Sequence, residues 1–193
     1  AVTWALNNYL VTFGIAASTP HTGFGYIQRG ENLAHGCWRI DSFTEKPDAN
    51  TAEGYIRDGS YLWNAGIFLF KASFFLSELT RFNPEIATVA LEAVASQHED
   101  LGFLRLGCEA FKRMPSISID YAVMEKTNRA VVIALNSGWN DVGSWGSLLE
   151  IQDPDANGNV LLGDTLVLRS MNSYIRSEKP LIAAIGLENM LVI

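Results

Sequence analysis

The sequence predicts an α/β fold: strands alternating with helices, followed by a short all-β segment. Three observations predict it. Short apolar runs rich in β-formers ("LVTFGIAA", "YLWNAGIFLFKA", "AVVIALN") read as buried strands. Between them lie segments whose apolar residues recur at helical spacing, and that alternation implies a mainly parallel or mixed sheet carrying helices. After "DPDANGNV" the texture changes, and short β-runs with turns replace any helical period. The predicted boundaries are 1–156 for the α/β part and 157–193 for an incomplete all-β segment.

Each element has its own reason. "AVTWALNNYLVTFGI" reads as a strand already in progress. "STPHTGFGYIQRGE" is a Gly/Pro/Thr loop leading into a strand at "GYIQRG". "HGCWRIDSFTEKPD" alternates as a strand that Pro47 ends. "TAEGYIRDGS" is a short helix and a turn. "YLWNAGIFLFKA" is a strand interrupted at Asn64–Gly66, where glycine suggests a bulge. Ser73 is a candidate cap for "FFLSELTRF", and Asn83–Pro84 a cap-plus-N1 pair for "PEIATVALEAVASQ". "SIDYAVMEKT" reads as a third helix and "SWGSLLEI" as a fourth.

Composition narrows the function classes. The chain has 193 residues, 48 % hydrophobic, enough for a core. Its net charge of −7 argues against nucleic-acid binding. Charged residues reach only 18 %, which implies surface covered by another partner. No apolar run approaches the ~20 residues of a membrane span, and the start carries no basic leader region. Cys37 and Cys108 lack metal spacing and cannot make a disulfide framework; they favour a reducing, cytoplasmic setting. His21, His35 and His98 form no triad or metal pattern.

Four short stretches can carry chemistry, and each has a plainer alternative. Gly23, Gly25 and Gly30 do not make a dinucleotide fingerprint; Gly25 either forms a tight turn or lets backbone approach a sugar or phosphate. In "EKP", Glu45 can accept from sugar hydroxyls and Lys46 can neutralise a phosphate. On a regular strand the two point to opposite faces, so only a twist lets them share a ligand. Asn64 either satisfies a bulged backbone or holds a ligand hydroxyl. In "GWNDVGSW", Asp141 either caps a helix beginning near Val142, with Trp139 and Trp145 packed around it, or binds Mg²⁺. Asp120, Glu125 and Lys126 read as solvated charges of an amphipathic helix, with Asp120 a first-turn acid.

In this order, "LVTFGI", "TGFGYIQRGE", "EKPD", "YLWNAGIFLFKAS", "ISIDYAVMEKT" and "GWNDVGSWGSLLE" resemble the bacterial mannose-1-phosphate guanylyltransferases over nearly the whole chain. The resemblance implies part of a nucleotide-diphospho-sugar transferase (Rossmann-like) mixed sheet, then a left-handed β-helix-like segment. It implies the conversion of mannose 1-phosphate and GTP to GDP-mannose and pyrophosphate. Gly25, Glu45, Lys46 and Asn64 would line the sugar-phosphate site. Lys46 and Asp141 would be catalytic, and Asp141 would ligate Mg²⁺. The family's G-G-x-G-T-R-L-x-P loop is absent from these residues, and Phe24 stands where the family more often has Tyr. The expectation is therefore a chain inactive alone, its sheet exposing a raw edge that a homo-oligomer would cover. The alternative is a non-catalytic sugar-phosphate-binding or oligomeric interaction module.

Overall fold

The computed structural model describes residues 1–34 and 36–193, so His35 lies outside the described residues. The chain divides into two compact units, Ala1–Ser137 and Gly138–Ile193. This division falls earlier in the chain than the change of sequence texture near Asn157.

The first unit opens with helix α1 (Val2–Leu6), not a strand. Trp4 and Ala5 pack with Val11, Cys37 and Val131, and Trp4 meets Tyr9 edge-on at 5.4 Å. Asn8 turns the chain at φ 59° before β1 (Leu10–Ala16). Next come β2 (Tyr26–Ala34), β3 (Cys37–Thr44), α2 (Ala49–Asp58) and β4 (Tyr61–Leu69). Asp48 caps α2 by accepting from Thr51 N–H at 2.8 Å, and Gly59 ends it at φ 72°.

Helix α3 (Ala72–Phe82) starts before the predicted cap. Lys71 is at the N-cap position and Ser73 lies inside the helix. Phe70 stacks on Phe75 at 4.6 Å across that start, a hydrophobic staple in place of a polar cap. Helix α4 (Pro84–Ala95) opens at Asn83–Pro84, but Asn83 Nδ2 donates to Ala122 O at 2.5 Å instead of capping. A hairpin, β5 (His98–Asp100) and β6 (Phe103–Arg105), and helix α5 (Cys108–Arg113) then follow where no element is predicted. The predicted third helix is only a π-helical turn, Asp120–Met124, before β7 (Ala130–Ala134).

Five strands close on one another in the order β1-β4-β2-β3-β7, with β7 paired back to β1. β1 and β7 are parallel and the other pairs antiparallel, so the sheet is mixed as predicted. The anticipated raw edge is not there among the described residues, because every strand of this sheet has two neighbours. One core takes a residue from each strand (Leu10, Ile27, Phe43, Leu62, Val132) and covers them with Leu79, Val123 and Met124. Each such buried large side chain contributes about 1.5–3 kcal/mol. Leu10, Val11 and Thr12 are all fully buried, which is why β1 reads as a continuous apolar run.

In the second unit, α6 (Ser147–Glu150) precedes β8 (Val160–Leu162), β9 (Thr165–Leu168), β10 (Tyr174–Arg176), β11 (Ile182–Ile185) and β12 (Leu191–Val192). All pairs are parallel and link one turn of chain to the next. Thr165 pairs with Ile182, Tyr174 with Leu191, and Met171 with Glu188, each 17 residues on. Buried polar groups tie the turns together. Asn159 Nδ2 donates to Ser170 O at 2.9 Å, and Ser173 N–H donates to Asn159 Oδ1 at 3.1 Å.

Candidate functional site

The strand ends of the first unit bring Gly25, Glu45 and Asn64 together. A Cβ added at Gly25 would lie 2.5 Å from Glu45 Oε2 and 3.3 Å from Asn64 Cβ. Asn64 N–H donates to Gly25 O at 2.8 Å, fixing the two backbones side by side. The glycine is therefore required by the approach of a carboxylate. The loop before it is pinned: Tyr26 OH donates to His21 O at 3.0 Å, and the His21 ring stacks on Phe24 at 4.1 Å.

Glu45 and Lys46 share the site through the needed twist. Lys46 adopts φ 48°, a left-handed conformation uncommon outside glycine. Its Nζ then reaches Glu45 Oε1 at 3.1 Å, with the Glu45 side chain 11 % exposed and that of Lys46 61 %. The hydrogen bond to Glu45, and then its negative charge, hold the Lys46 ammonium above the usual lysine range, and the neighbouring Asp120 adds to this.

Asn64 sits where β1 and β4 lose register. Thr12 pairs with Phe68 and Gly14 with Asn64, so β4 carries two extra residues at a bulge centred on Gly66, φ 68°. Asn64 Oδ1 accepts from Thr12 Oγ1 at 2.9 Å and from Gly66 N–H at 3.2 Å. Its Nδ2 donates to Asp120 Oδ1 at 3.2 Å.

Asp120 and its turn are the residues that sequence reasoning missed. They are not merely solvated charges on an amphipathic helix. Glu125 Oε1 accepts from Glu45 N–H at 3.0 Å, and Tyr121 OH donates to Glu45 O at 3.4 Å. "SIDYAVMEK" carried no clue to this, because Asp120 and Glu125 stand five residues apart, a spacing that a regular α-helix does not put on one face.

Asp141 belongs to the second unit and is described with it. The capping account fails, because α6 begins only at Ser147 and Val142 stands at φ 47°. Val142 N–H donates instead to Asn140 Oδ1 at 2.8 Å. Trp145 does not pack around a helix entry; it is 63 % exposed. The Asp141 carboxylate is exposed, and Gly143 leaves it room, since a Cβ there would lie 2.6 Å from Oδ2. Among the described residues no three acidic, His or Cys side chains gather into a metal site. A lone exposed carboxylate suits only a hard cation that completes its shell with water and phosphate oxygens.

Comparison with known proteins agrees with the fold. The family profile described as "Nucleotidyl transferase" matches residues 4–158. A mannose-1-phosphate guanylyltransferase of Klebsiella pneumoniae is 46 % identical over 193 residues, covering 98 % of this chain and 41 % of the relative. The xanthan biosynthesis protein XanB of Xanthomonas campestris pv. campestris is 49 % identical over 184 residues, 95 % of this chain and 39 % of its own. A crystal structure described as mannose-1-phosphate geranyltransferase from Thermus thermophilus superposes with a TM-score of 0.80 at 30 % identity, covering 97 % of this chain and 53 % of that one. The chain thus spans about 40 % of the length of the curated relatives it matches. With four-fifths of its residues inside the matched profile, the chain belongs to the nucleotidyl transferase family.

Proposed function

We propose that this chain forms the sugar-phosphate side of a mannose-1-phosphate guanylyltransferase, an enzyme that joins mannose 1-phosphate and GTP into GDP-mannose and releases pyrophosphate. The observation that carries the reading is the convergence of Gly25, Glu45 and Asn64, with Lys46 at its rim. Glu45 accepts from sugar hydroxyls and Asn64 donates to one. The Lys46 ammonium neutralises the phosphate whose oxygen attacks the nucleotide. Asp141, in the second unit, would hold Mg²⁺, an ion that neutralises phosphate oxygens when bound. The reading concerns the sugar-phosphate side alone, and binding is what it asks of these residues. The parallel turns of the second unit support the left-handed β-helix-like reading of 157–193, and two unpaired cysteines support a cytoplasmic setting.

The test is calorimetric titration of mannose 1-phosphate with Mg²⁺ present. We expect saturable binding that Asn64→Ala abolishes. No heat at millimolar sugar phosphate would overturn the reading.

A second reading, self-association through an interaction surface, is favoured by the β5–β6 hairpin. Among the described residues its two outer edges are unpaired, and Leu101, Phe103 and Leu104 are exposed on it. Pairing of two copies there predicts a dimer by light scattering that Leu104→Asp returns to monomer. A wild-type monomer at high concentration sinks this reading.

A further inference from the structure

We infer that Asp120 is a positioning residue of the sugar pocket, fixing the Asn64 amide so that Asn64 meets its ligand only as a donor. The inference rests on the sugar-phosphate reading above. A primary amide has one oxygen with two lone pairs and two N–H bonds. The Asn64 oxygen accepts from Gly66 N–H at 3.2 Å and lies 2.9 Å from Thr12 Oγ1, whose one O–H it shares with Ile67 O at 3.1 Å. One N–H goes to Asp120 Oδ1 at 3.2 Å. Turning the amide over would set its N–H bonds against the Gly66 N–H and its oxygen against the Asp120 carboxylate. One N–H therefore remains to be offered. Glu45, as a carboxylate, only accepts. The pocket thus asks for a group that both accepts and donates, which a sugar hydroxyl does and an ether or fluorine does not.

Asp120 is well placed for this role. It opens the π-helical turn, whose wide ring closes with Glu125 N–H donating to Asp120 O at 3.0 Å. Such turns recur at functional sites. The same turn holds Glu45 by its backbone through Glu125 and Tyr121, so one turn sets both polar faces of the pocket.

The experiment compares wild type, Asp120→Ala and Asp120→Asn by titration with mannose 1-phosphate, with matching circular dichroism melts as the folding control. Asn at this position keeps an acceptor and loses the charge. We expect Asp120→Ala to weaken binding about tenfold and Asp120→Asn to stay within about threefold, the scale of one hydrogen bond. Equal losses in both variants would mean that the Asp120 charge acts on Lys46 directly, and would overturn the inference. A second arm uses no sugar: in the unliganded chain the Asn64 side-chain amide resonances shift in Asp120→Ala, and an unmoved signal also overturns it. If wild type fails to bind mannose 1-phosphate, the sugar-phosphate reading falls, and the amide resonances still decide whether Asp120 orients Asn64.

Discussion

At Gly25 the side chain is missing because Glu45 occupies its place. Gly25→Ala must therefore displace the Glu45 carboxylate, the flexible partner, and not the backbone. We expect about tenfold weaker mannose 1-phosphate binding, the scale of one misplaced charged hydrogen bond, with an unchanged melting temperature. Lys46 gives a pH prediction. Its folded pKa is raised, so the ammonium's contribution is fully present below the ordinary lysine value and is lost only as pH rises through the higher folded one. Affinity for the sugar phosphate should be flat from about pH 7 to 9, where the phosphate is already a dianion. Lys46→Gln should bind more weakly across that range; a wild-type affinity that falls by pH 9 would contradict the assignment. Gly25, Glu45, Lys46 and Asn64 were legible as candidates because each residue type interrupts an apolar or strand pattern. Asp120 was not, because an acid in a helical-looking segment has no such contrast. Its role depends on a contact 56 residues away in the chain.

At the scale of elements, the ends of α2 were legible because capping chemistry is local. The hydrogen bond from Thr51 N–H lowers the Asp48 pKa, so this stabilisation is present above the ordinary carboxylate value and disappears as pH falls through the folded one. Asp48→Ala should lower the melting temperature at pH 7, and the gap to wild type should narrow towards about pH 3, below the ordinary carboxylate value. Gly59→Ala, at φ 72° with open space around it, should cost about 1–2 kcal/mol in urea titrations, the strain of a left-handed alanine. The start of α3 was less legible, because two phenylalanines packed across it look like any apolar run. The β5–β6 hairpin was illegible: three-residue strands with exposed apolar side chains show no period.

For the whole molecule, alternating strands and helices sufficed for the α/β class and for the change to an all-β texture. Closure of the sheet did not follow from any local pattern, since pairing β7 with β1 is a decision between distant segments. The buried run "LVTF" announced that both faces of β1 are covered, and said nothing of which strands flank it.

That closure bears on how quickly the molecule reaches its native state. Leu10 pairs with Ala130, 120 residues on, while β2 and β3 meet across a short connection. The last seam of the ring brings together ends separated by almost the entire first unit, and such distant contacts slow folding. In stopped-flow refolding, the β2–β3 hairpin should acquire protection early. Pairing of β1 with β7 should mark the slowest step, so Val131→Ala should chiefly slow refolding and change the unfolding rate less.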